Sequence, residues 1–77
     1  MTKDKPAHLK YPLETQLAEV QRELAMRRRV YPRFVESHKI TQEQASERLD
    51  ILASTAALLQ WLLDEQHATQ LARDGAL

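Results

Sequence analysis

The sequence predicts an all-α protein: an antiparallel two-helix hairpin, helix 1 kinked at Pro32, that dimerises into a four-helix bundle. Three observations predict it. Apolar residues recur in steps of four and three within two separate segments, which is the seam spacing of packed helices. Between the segments, Thr41-Gln42-Glu43-Gln44 has the form of a capping box and marks a sharp helix start. The second segment, finally, carries more apolar circumference than one partner helix can hide.

Residues 1–11 are polar, include Pro6, Lys3, Lys5 and Lys10, and lack an apolar period, so they read as a flexible basic arm. The hairpin domain occupies residues 12–71. Pro12 suits the first turn of a helix, where a missing N–H costs nothing. Leu13, Leu17, Val20, Leu24, Tyr31, Phe34 and Val35 then place helix 1 over about residues 12–37. Pro32 removes its own N–H and crowds the carbonyl of Arg28. The apolar stripe resumes on nearly the same face beyond it, which favours a kink over a break.

Ser37-His38-Lys39 is a tight connection, and a short connection makes neighbouring helices antiparallel. With no glycine there, His38 or Lys39 has to take the left-handed conformation. Ile40 precedes the capping box and can pack on Ala45 as a hydrophobic staple. Helix 2 is expected from about residue 42 to 71, with residues 72–77 a frayed tail.

Helix 2 has two apolar lines. Ala45, Leu49, Leu52, Ala56, Leu59 and Leu63 make one seam, while Ile51, Thr55, Leu58 and Leu62 make a second beside it. A lone hairpin leaves the second line wet, and a chain this short buries only about 60% of the surface it exposes when unfolded. Self-association through Ile51, Leu52, Thr55, Leu58, Leu59 and Leu62 follows, most simply as a twofold dimer. Docking of this edge on a different protein is the plainer alternative.

Composition narrows the function classes. The chain has 77 residues, 11 Lys+Arg against 11 Asp+Glu, and no cysteine. A zero net charge draws it to neither nucleic acid nor anionic lipid. Without cysteine there is no disulfide framework and no thiolate zinc site. The first twenty residues lack the hydrophobic core of a signal peptide. The longest uncharged run, Ile51 to Leu63, falls well short of the roughly 20 residues that span a bilayer. A soluble intracellular domain with no membrane contact is expected.

Five arginines lie within twelve residues: Arg22, Arg27, Arg28, Arg29 and Arg33. Arg27 and Arg28 flank the seam and are expected to bridge across the hairpin to the acidic side of helix 2, Asp50 with Glu43 and Glu47. Arg22, Arg29 and Arg33 point away and, with Met26, form a ridge toward solvent. Beside Tyr31 and Phe34 such a ridge resembles a nucleic-acid surface. Yet both aromatics sit on the packed side, and exposed charge runs are usually solvated faces. Trp61 lies off both seams, next to Leu58, and reads equally as an interface anchor or as a cap over the bundle end.

Site chemistry is sparse. Asp64 and His67 share a helical face, and with Glu14 they sketch a di-metal carboxylate site. Such sites normally use Glu at the first position and sit mid-bundle, so solvated polar surface is the preferred account and no metal is assigned. His8 and His38 have no ligand-like neighbours. Gly75 alone builds no phosphate-cradling loop, and Ser37, Ser46 and Ser54 lie in no strand–turn–helix context. Neither enzymatic activity nor a cofactor is expected.

Glu23-Leu24-Ala25-Met26-Arg27-Arg28-Arg29-Val30-Tyr31-Pro32-Arg33, followed by Val35, Ala45 and Arg48, resembles a group of small helical proteins encoded in tailed phages and bacterial prophages. Their pattern is E-L-x-M-R-x-x-V-Y-P-x-x-V, a turn, then A-x-x-R, and the likeness covers about residues 17–60. Those proteins often carry glycine in the turn, where this chain has Ser37-His38-Lys39. The resemblance implies an accessory protein in a bacterial cytoplasm, with an unidentified host or phage protein as a partner. It implies no catalytic residue and no cofactor.

Overall fold

The computed structural model describes residues 10–75. It holds two helices, α1 (Leu13–Glu36) and α2 (Gln42–Gly75), packed against each other as a hairpin. The expectations for Lys3, Lys5, His8 and the end of the tail lie outside the described residues.

Pro12 sits one position earlier than expected. It occupies the N-cap with φ −62° and ψ 156°, and its carbonyl accepts from the N–H groups of Thr15 and Gln16, both at 3.1 Å. The side-chain amide of Gln16 also donates to the Tyr11 carbonyl at 2.8 Å. Proline suits this place as well as the next, because φ near −65° is compatible with both and its absent N–H is an orphan either way. Pro32 is exposed and lies inside α1, which continues through it as one helix.

The turn is a Schellman motif built without glycine. The N–H of His38 donates to Val35 at 3.1 Å, and that of Lys39 donates to Phe34 at 2.8 Å. These two bonds satisfy carbonyls that a helix end otherwise leaves open. They require a left-handed residue between them, and His38 supplies it with φ 62°. The apolar contact that usually accompanies the motif is replaced here. Lys39 lays its ammonium 5.2 Å from the centre of the Phe34 ring, a cation–π contact.

The capping box forms in both directions. The N–H of Gln44 donates to Thr41 Oγ1 at 3.0 Å, and the N–H of Thr41 donates to Gln44 Oε1 at 3.0 Å. Among the described residues four are buried: Leu17, Leu24, Tyr31 and Ala45. The three on α1 are spaced by sevens, the repeat that keeps one stripe facing a neighbouring helix. On α2 the partners Leu49, Leu52, Ala56, Leu59 and Leu63 are half-buried.

α2 is the longer helix, with 34 residues against 24. At 1.5 Å per residue that is about 51 Å against about 36 Å. It also continues to Gly75 rather than ending near residue 71. Ala72 and Arg73 are good helix formers, and no proline or glycine intervenes to stop the chain earlier.

Candidate functional site

The two lines of α2 differ in exposure. Leu52 and Leu59 are half-buried on the line that faces α1, whereas Ile51, Thr55, Leu58 and Leu62 are exposed. Ile51 is 59% accessible, Leu58 56% and Leu62 37%, in a strip that α1 leaves uncovered. The strip is apolar even at its one hydroxyl. Thr55 Oγ1 donates to the Ile51 carbonyl at 3.1 Å, so its hydrogen bond is made within the helix and its methyl is left to face out. Trp61, 58% accessible, adds the largest side chain beside Leu58 and Leu62.

The hairpin has two distinguishable sides. A cleft of about 250 Å³ is lined by Arg28, Tyr31, Pro32 and Val35 of α1 with Gln42, Ala45 and Leu49 of α2, which marks one side. At about 100° per residue, Val30 lies round α1 on the other side and the exposed strip lies round α2 on that same side, while Met26 points away from α2 among Arg22 and Arg29. Both Met26 and Val30 are half-buried. The apolar surface therefore runs across the hairpin, from Val30 over Leu59 to Leu62, Ile51 and Leu58. Met26 lies with Arg22 and Arg29 on the ridge, as the sequence predicts, whereas the sequence reading leaves Val30 out. The signal was there, since Val30 is an apolar residue one step off the α1 seam, but a one-stripe reading discards it.

The arginines also divide differently. Arg27 Nε meets Glu23 Oε1 at 2.9 Å on its own helix. The expected bridges from Arg27 and Arg28 to Asp50 do not form, and among the described residues no ion pair crosses the hairpin. A partner four residues back along the same helix is already in reach, without the rotamer ordering that an interhelical pair demands. The hydrogen bond that Arg27 donates to Glu23 raises the Arg27 pKa above its ordinary value, against a smaller opposing effect of burial. Arg22, Arg29 and Arg33 are exposed along one face, as expected. Arg22 pairs with Glu19 at 3.0 Å; an ion pair this open to water contributes little to stability.

Asp64 accepts from the Gln60 amide at 2.9 Å, one turn back. Among the described residues, no three His, Asp or Glu side chains converge to hold a metal ion, so Glu14 is not brought to Asp64 and His67. No helix of the described chain is long and apolar enough to cross a membrane. Compared with known proteins, the chain matches no family model, no curated protein and no solved structure.

Proposed function

We propose that this chain is a non-enzymatic helical interaction module that associates with itself, forming a dimeric four-helix bundle through the exposed line of α2. The reading includes a bend of α1 at Pro32. Its supporting observation is the uncovered strip of Ile51, Leu58 and Leu62 with Trp61 beside it. At the accessibilities given above, these four side chains expose roughly 450 Å² in one patch, within the range of about 300–600 Å² for the largest, often functional, patch on a typical monomer. Two such patches facing each other bury about 900 Å². Stable specific interfaces begin at roughly 1,200 Å², so the flanking residues of both copies have to supply the remainder. Leu52 and Leu59 join the same core from the α1 side. A host or phage protein seated on this face is the alternative occupant. The context, a phage or prophage accessory protein in a bacterial cytoplasm, rests on the sequence resemblance alone.

Sedimentation of the full chain at micromolar concentration tests this. The expected result is a dimer that Leu58→Glu converts to monomer with its helicity kept, because the residue lies off the hairpin's own seam. A compact, cooperatively melting wild-type monomer at that concentration overturns the reading.

A nucleic-acid-binding role is the second reading, favoured by one observation. Arg22, Arg29 and Arg33 stand exposed on a single face over about 16 Å of helix. The N-terminal lysines Lys3, Lys5 and Lys10 would add further positive charge. A filter-binding titration decides: phosphate-led affinity falls steeply with salt, and binding that is absent at low salt removes the idea.

A further inference from the structure

We infer that the partner on this face is a second copy running antiparallel, α2 against α2, with the twofold axis crossing between residues 56 and 57. This rests on the self-association reading above and adds its direction and register. The apolar strip begins at Ile51 and ends at Leu62, so the centre that buries all of it in both copies lies midway. In that register Ile51 meets Leu62 of the second copy, and Thr55 meets Leu58.

The direction follows from the α1 flank. Val30 lies on the same side of the hairpin as the strip and is half-buried there. A twofold axis perpendicular to the helices puts both copies of α1 on one side of the α2 pair. Their Val30 flanks then turn toward each other and close a four-helix bundle. An axis parallel to the helices puts the two α1 helices on opposite sides and leaves both flanks in water. Antiparallel α2 helices also set opposite ends of their dipoles together.

The absence of native cysteine makes the arrangement directly measurable. Ile51→Cys and Leu62→Cys are prepared separately, then oxidised alone and as a mixture. In the antiparallel register, position 51 of one copy lies about 16 Å along the axis from position 51 of the other, counting eleven residues at the helical rise. That is far beyond the roughly 7 Å Cα separation a disulfide can span. The expected result is a covalent dimer from the mixture and none from either variant alone. Gln44→Cys with Thr69→Cys, both exposed positions on the same line, repeats the test should a strip variant fail to fold. Self-cross-linking of each single variant in a sample that sediments as a dimer overturns the antiparallel proposal while leaving self-association standing. So does a dimer whose mixture gives no covalent product. A wild-type chain that sediments as a monomer removes the underlying reading instead.

Discussion

Replacing His38 by glycine should stabilise the hairpin. His38 holds φ 62° because the Schellman bonds of the turn demand a left-handed residue at that point. For a residue with a Cβ this conformation costs about 1–2 kcal/mol relative to the right-handed region. Glycine removes that cost, but it loses more freedom on folding, which takes back about 0.5–1 kcal/mol. The bonds from the N–H groups of residues 38 and 39 are backbone bonds and survive the substitution. The His38 side chain is exposed, so little packing is lost with it. A net gain of about 0.5–1 kcal/mol results. With a urea m-value of about 1 kcal/mol/M for a domain of this size, the midpoint should rise by about 0.5–1 M at unchanged slope. Wild type and variant must be compared at one protein concentration, since association shifts apparent stability. His38→Ala, which keeps the Cβ, should show no gain. An H38G midpoint at or below wild type would refute the claim that strain is stored at the turn.

Other substitutions probe separate parts of the fold. Thr41→Ala removes one half of the capping box and should cost about 1 kcal/mol in denaturant melts; H38G combined with it should be additive unless the turn and the cap share a strain. Tyr31→Ala empties a buried site between the helices and should cost about 3 kcal/mol, enough to unfold much of the population at 37 °C. Pro32→Ala restores an N–H to the Arg28 carbonyl at an exposed position, and should raise stability by about 1–3 kcal/mol with a measurable gain in ellipticity. The Arg27–Glu23 pair raises the folded pKa of a group that already titrates far into the alkaline range. Its arginine contribution is fully present below the unfolded value and is lost only as pH rises through the folded one. Stability of wild type relative to Arg27→Gln should therefore show no arginine-linked slope between pH 6 and 9.

The backbone was more legible than the side chains. Both helices, the capping box and the left-handed residue at the turn follow from local rules, and each involves residues within a few positions of one another. Thr41 and Gln44 carry their partners in the next turn, and the lack of glycine at Ser37-His38-Lys39 leaves few places for a positive φ. The arginine pairings were harder to read. Arg27 had two acidic choices, Glu23 on its own helix and Asp50 across the gap, and spacing alone does not rank a local rotamer against an interhelical reach. Val30 shows the same difficulty in another form. Its burial depends on the exact rotation of α1 against α2, which a wheel drawn for one helix does not contain. The end of α2 was misplaced because Ala72 and Arg73 carry no stop signal, and helix ends without one are set by fraying rather than by sequence.

The unequal lengths of the two helices have a consequence for how the molecule comes apart. From Asp64 to Gly75 every residue of α2 is exposed, so those last turns lean on nothing that the hairpin supplies. A stretch of about 12 residues is marginal as an isolated helix in water. Its amides should trade protons with solvent orders of magnitude sooner than those near Leu24 and Ala45, and warming should unwind it gradually before the collective transition. Ellipticity will thus begin to decline at temperatures where Tyr31 is still enclosed, and the two signals will report different midpoints from one and the same chain.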